Sequence, residues 1–150
     1  MIFVNLPVRD LAASRNFYTA LGFPMNEAFS DDQAAAIVVS ETIVVMLVAR
    51  DRFAEFVAGP VGDPRDGPTA ISCLNAESPE EVDRLVGAAL ASGGSAWLPK
   101  MEDGPMYGHS FADPDGHVWE VIYMDLGSMD GGSMDGGSMD LGSMDGSAIG

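Results

Sequence analysis

One order of elements is written twice in residues 1–126: strand, helix, strand, strand, strand. This doubling constrains the fold more than any single motif does. In the first half, Ile2–Val8 reads as a strand. Asp10 follows as a helix cap, and Leu11, Phe17, Tyr18 and Leu21 form the apolar stripe of a helix that Gly22 stops. Three strands are expected next, at about Met25–Phe29, Ala34–Ser40 and Ile43–Ala49. Their connections are short enough for hairpins. The second and third of these strands are apolar on both faces, which asks for two covers: a helix on one side and a partner subunit on the other. Asp51–Ala58 is expected to be a short helix packing Phe53, Phe56 and Val57.

Residues 59–68 hold three Gly and three Pro and read as a linker. The second half then restarts with a strand at Thr69–Asn75. Ser78, Pro79 and Glu81 supply a cap, a first-turn proline and a capping-box acid. Val82, Leu85, Val86, Ala89 and Leu90 recur at helical spacing until Gly93-Gly94. Strands are expected at Ser95–Leu98, Met106–Phe111 and His117–Met124. The reading is one domain at 1–126, with a first module at about 1–58, the linker 59–68 and a second module at about 69–126. Beyond it runs a five-residue repeat, MDGGS and its variants. Such Gly- and Ser-rich sequence buries too little to offset chain entropy, so 127–150 is expected to be a flexible tail.

Composition excludes several classes. The net charge of −16 opposes nucleic-acid binding, which needs a basic face. No apolar run approaches the 18 residues of a membrane span. No secretory leader is evident at the start, and the single cysteine, Cys73, precludes an internal disulfide. Both fit a cytoplasmic protein. The run AISCLNA around Cys73 reads as a buried strand, with the thiol as inert core and a nucleophile as the competing reading.

The stretch FADPDGHVWEVIY reads as a hairpin closing on Asp113-Pro114-Asp115-Gly116. Glu120 stands in an otherwise apolar strand, so it must be paired, bind a metal or do chemistry. A four-residue turn at 113–116 would set His109 directly opposite Glu120. That pair is either a satisfied ion pair or an acid/base pair facing a ligand. A bulge at Gly108 would break it. His117 and Glu120 are three apart and point to opposite faces, which puts His117 on the outer face or at the turn. Trp119 should pack against a helix.

The segments VNLPVRDLAASRNFYTALGF and YGHSFADPDGHVWEVIY resemble the vicinal oxygen chelate superfamily, which includes glyoxalase I, bleomycin-resistance proteins and extradiol dioxygenases. The resemblance spans 1–125. It implies an α+β fold: two βαβββ modules curled into an incomplete mixed β-barrel around a ligand cavity, commonly in a homodimer. Metal-using members place four ligands at positions that fall here on Phe3, Met46, Ala70 and Glu120. Only Glu120 can serve, so no metal or other cofactor is expected, although a divalent metal is the alternative. Phe3, Asn5, Met46, Trp97 and Tyr107 are candidates for the ligand-binding wall, with core packing as the competing reading for all but Asn5.

Three functions compete. The first is a glyoxalase/bleomycin-resistance-like protein that binds a small organic ligand without a metal. The second is a glyoxalase-like lyase or isomerase with Glu120 as base, aided by His109. The third is a non-catalytic interaction module working through the repeat tail. No membrane or nucleic-acid partner is expected for any of them.

Overall fold

The computed structural model describes residues 1–127; the tail expected at 127–150 lies, Gly127 apart, outside them. The first half forms β1 (Ile2–Val8), α1 (Leu11–Ala20), β2 (Met25–Asn26), β3 (Ala34–Ser40), β4 (Ile43–Ala49) and α2 (Arg50–Phe53). The second half forms β5 (Ile71–Asn75), α3 (Pro79–Ala91), β6 (Ser95–Ala96), β7 (Met101–Asp103), β8 (Met106–Ala112) and β9 (Val118–Met124). The class is α+β, in two sheets that do not close into a barrel. One sheet has the order β1-β4-β3-β2. The other has the order β5-β9-β8-β6, with β7 also paired to β8. In each sheet the module's first strand runs parallel to its last, β1 with β4 and β5 with β9. The doubled order of elements thus becomes a doubled topology.

Both long helices start as their side chains dictate. Asp10 accepts from the Ala13 amide, and Ser78 accepts from the Glu81 amide. Glu81 reaches back to the amide of Glu77, one residue outside the cap. Each helix buries its apolar stripe. Phe17, Tyr18 and Leu21 of the first, and Val82, Leu85, Val86 and Ala89 of the second, lie in one core with Val45, Leu47, Phe111, Trp119 and Val121. Phe17 meets Phe111 across the two halves with ring centroids 5.9 Å apart. The modules therefore share a core through their helices.

Several expectations are corrected. The second strand stops at Asn26, whose side chain accepts from the Ala28 amide and turns Glu27–Phe29 into a 3-10 turn. The helix at 51–58 shortens to Arg50–Phe53 plus a 3-10 turn at Ala54–Phe56. Phe56 does not pack: it is exposed beneath the Arg52 guanidinium. Leu90 is also exposed, because it lies beyond the edge of the buried stripe. β7 was not anticipated; its three residues are all exposed, so no apolar pattern marks it. Cys73 is exposed rather than core. β5 alternates so that Ser72 and Leu74 turn inward while Ile71, Cys73 and Asn75 turn out.

Candidate functional site

Register decides what Glu120 can reach. β8 and β9 pair without a break from Met106↔Met124 to Ala112↔Val118. The connection is therefore five residues, Asp113–His117, and not four. That one-residue difference flips the partner: Glu120 lies opposite Ser110, and His109 lies opposite Val121. The expected His109–Glu120 pair does not form, and Gly108 makes no bulge. His109 shares the helix-facing side with Val121, near Asp83 of α3.

On its other flank Glu120 pairs with Cys73 of β5. Ser110, Glu120 and Cys73 thus form a row across the face turned away from the core. Glu120 is half-buried and has no salt-bridge or hydrogen-bond partner among the described residues. Burial and the neighbouring Glu120 carboxylate push the Cys73 thiol up, so it is held as thiol. A cavity of about 80 Å³ opens here, lined by Leu98, Met101, His109, Ser110, Glu120 and Ile122 among others, so His109 borders the same space as Glu120 without pairing with it. The segment between β6 and β7 rims it. Inside, the Leu98 amide donates to the Ser110 hydroxyl at 3.0 Å. Outside, Lys100 pairs with Asp83 at 3.2 Å.

The expected wall residues are scattered. Phe3, Asn5 and Met46 lie together on the open face of the first sheet, Asn5 directly opposite Met46. Tyr107 is on the helix side of the second sheet, where its hydroxyl donates to Asp83 at 2.7 Å. Trp97 is partly exposed, in a separate hollow with Arg65 and Pro114. None of the five lines the Glu120 cavity.

The donor set does not suit a metal. The positions that would hold one carry a phenyl ring, a thioether, a methyl and one carboxylate. Among the described residues no three His, Cys, Asp or Glu side chains gather.

The DPDGH motif, in contrast, is structural. Asp113 and Asp115 are both buried. The first accepts the Tyr18 hydroxyl at 2.6 Å and the amides of Asp115 and His117. The second accepts the Arg9 amide at 2.9 Å and the Ser14 hydroxyl at 3.3 Å. His117 Nε2 reaches the Pro7 carbonyl at 2.8 Å. One turn of the second half is thereby fastened to β1 and α1 of the first. Burial raises the Asp113 carboxyl despite the nearby His117, which lowers it. Trp119 packs on α1 as expected, donating Nε1–H to the Tyr18 hydroxyl at 3.0 Å. The sequence reading found the turn but not its partners Ser14 and Arg9, because such contacts leave no local pattern.

A larger cleft, of about 400 Å³, lies along the seam between β1 and β5. Val4–Pro7, Phe53, Ser72 and His117–Trp119 line it together with parts of the linker. Neither strand edge there has a paired strand among the described residues. Asn5 is the one expected site residue it contains.

Residues 1–40 match the family described as bleomycin resistance protein-like N-terminal. No match was found among the curated proteins. Among solved structures, a hypothetical protein from S. aureus is 27% identical, with a TM-score of 0.71 over 82% of this chain and 92% of its own. A glyoxalase/bleomycin resistance protein/dioxygenase family enzyme from Burkholderia phytofirmans PsJN is 21% identical, with a TM-score of 0.66 over 81% and 96%. A lactoylglutathione lyase from Agrobacterium tumefaciens is 20% identical, with a TM-score of 0.61 over 87% and 96%. The match over residues 1–40 and the shared fold are what the chain has in common with the glyoxalase and bleomycin resistance proteins. No helix among the described residues is long and apolar enough to cross a membrane.

Proposed function

We propose that this vicinal oxygen chelate-like protein binds a small organic cation at Glu120, without a catalytic metal. One observation carries the reading. A half-buried carboxylate without a partner stands beside Leu98, Met101 and Ile122. Such a group favours a counter-charge, and none of the described residues supplies it. An ammonium with an apolar body meets both demands. The excess of acidic residues attracts the same class of ligand.

The chain works as a homodimer in this proposal. Phe3, Ile71 and Leu98 are all more than half exposed. A second copy laid over the open faces would cover them and deepen the small cavity into an enclosed one. The exposed thiol of Cys73 fits a reducing cytoplasm.

Calorimetric titration with benzylammonium, against benzyl alcohol as the neutral control, tests the binding. The cation should bind saturably, weaken with added salt, and lose affinity in Glu120→Gln. Equal binding of both probes would overturn the reading. So would one tightly held Ni, Zn or Mn per purified chain. Sedimentation equilibrium checks the dimer.

The alternative is a lyase or isomerase with Glu120 as base. The absence of a partner favours this too, since an unpaired carboxylate is free to take a proton. His109 lines the same cavity, but its partner across the strands is Val121, so it does not stand opposite the carboxylate. Hemithioacetal turnover lost in Glu120→Gln would favour the enzyme.

A further inference from the structure

We infer that the seam between the two modules is a second ligand site, distinct from the Glu120 cavity and selective for a neutral molecule with an apolar body and one hydroxyl or N–H donor. The two cavities share no lining residue. The seam cleft, at about 400 Å³, has the size of an organic-ligand pocket.

Its walls are held in place. The Arg50 guanidinium donates to the carbonyls of Gly62 and Val61, each at 3.0 Å. Arg9 pairs with Asp63. These bonds pin the linker over the cleft, so a ligand need not order it.

Val4, Leu6, Phe53, Val61, Val118 and Trp119 supply the apolar wall. Two of its polar side chains, Ser72 and His117, stand close together and each keeps an uncommitted atom among the described residues. Ser72 makes no hydrogen bond through its hydroxyl among the described residues. His117 spends Nε2 on the Pro7 carbonyl. A carbonyl only accepts, so Nε2 carries the proton, and in the neutral ring Nδ1 is left as an acceptor. Ser72 lies opposite Trp119 and His117 two residues before it, so both project to the same side of the sheet as near neighbours. A ligand donor can therefore be taken by His117 Nδ1 or by the Ser72 oxygen.

Charge separates this site from the other one. The carboxylate in the lining, Asp63, is already paired with Arg9 and Arg65. Nothing there calls for a cation. A neutral ligand leaves those pairs intact and gives its donor to one of the two open acceptors.

The test is an NMR titration of the full chain with 2-naphthol and with 2-methoxynaphthalene, which has the same rings but no donor. We expect saturable shifts at the amides of Val4–Pro7, Ser72 and His117–Trp119 with 2-naphthol. The ether should bind about five- to tenfold more weakly, the value of one hydrogen bond. Ser72→Ala should weaken 2-naphthol severalfold and leave the ether unchanged. Ala70 lines the cleft and is exposed, so Ala70→Trp should block both probes while thermal unfolding stays as in the parent. Glu120→Gln should change neither affinity, which separates this site from the proposed cation site. No saturable shift, shifts centred on Glu120 and Ile122, or equal affinity for the two probes would each overturn the inference.

Discussion

Tyr18 and Asp113, 95 residues apart, are joined by a buried 2.6 Å hydrogen bond that ties the first helix to the closing hairpin. The Tyr18 hydroxyl also accepts the indole N–H of Trp119. Tyr18→Phe removes both bonds at once. It leaves a buried carboxylate short of a donor and a buried indole without an acceptor. The expected loss is about 2–4 kcal/mol, two unsatisfied groups at roughly 1–2 kcal/mol each. Urea unfolding of the two proteins measures it. A change below the error of the fit would mean that the turn does not fasten the modules.

Asp113 gives that fastening a pH dependence. Burial holds its carboxyl above the ordinary range. A group whose pKa is raised on folding contributes stability below its unfolded pKa, and the contribution is lost as pH rises through the folded one. From the ordinary carboxylate range near pH 4 upward, ionised Asp113 therefore weighs against the fold. Asp113→Asn keeps the acceptor for the amides of Asp115 and His117 and cannot ionise. Its stability relative to the parent should rise with pH over this interval. Denaturation midpoints at pH 4, 5, 6 and 7 check the sign, and a relative stability that falls with pH would refute it.

Much of the fold was legible because its signals are local. The helix at Pro79–Ala91 announced itself through Ser78, Pro79 and a run of apolar residues at helical spacing. β1, β3 and β4 were read to the residue because their apolar runs end in turn chemistry. The site was less legible, and the reason is a count of one. Alternation makes every facing relationship depend on loop length. Asp113-Pro114-Asp115-Gly116 has the composition of a four-residue turn, but the Asp113 amide donates to the carbonyl of His117, which sets His117 opposite Asp113 and not Ala112. That moved Glu120 from His109 to Ser110. Cys73 was misjudged for a related reason: ISCLN looks continuously apolar, and only the packing shows which alternate residues face out. The seam cleft could not be read at all, since it joins residues 4–7 to residues 117–119.

Gly94 tests how closely the second helix, the closing hairpin and Phe17 approach one another. A Cβ there would lie 2.8 Å from the carbonyl oxygens of Ala89 and Ala112 and 3.0 Å from Phe17 Cε2. Backbone cannot yield as a side chain can. Gly94→Ala should cost about 1–3 kcal/mol, the usual effect of overfilling a packed site. Gly67, in the linker, has open space around it. Gly67→Ala should be neutral or slightly stabilising, since it restricts the unfolded chain. Thermal unfolding of the pair reads both effects under one condition, and equal midpoints would contradict the packing described.

The row formed by Ser110, Glu120 and Cys73 predicts how the thiol reacts. Cys73 is exposed, yet burial of part of its surroundings and the adjacent carboxylate both disfavour the thiolate. Only the thiolate attacks an alkylating reagent. Iodoacetamide should therefore label Cys73 more slowly at pH 8 than it labels a free cysteine peptide. Glu120→Gln removes the charge and keeps the shape, so labelling should speed up by a factor of about two to five. Saturating benzylammonium should have a similar effect if it seats beside Glu120, unless it covers the sulfur and slows labelling instead. A rate that responds to neither the substitution nor the cation would separate Cys73 from Glu120, and would remove the basis for placing a ligand on that face.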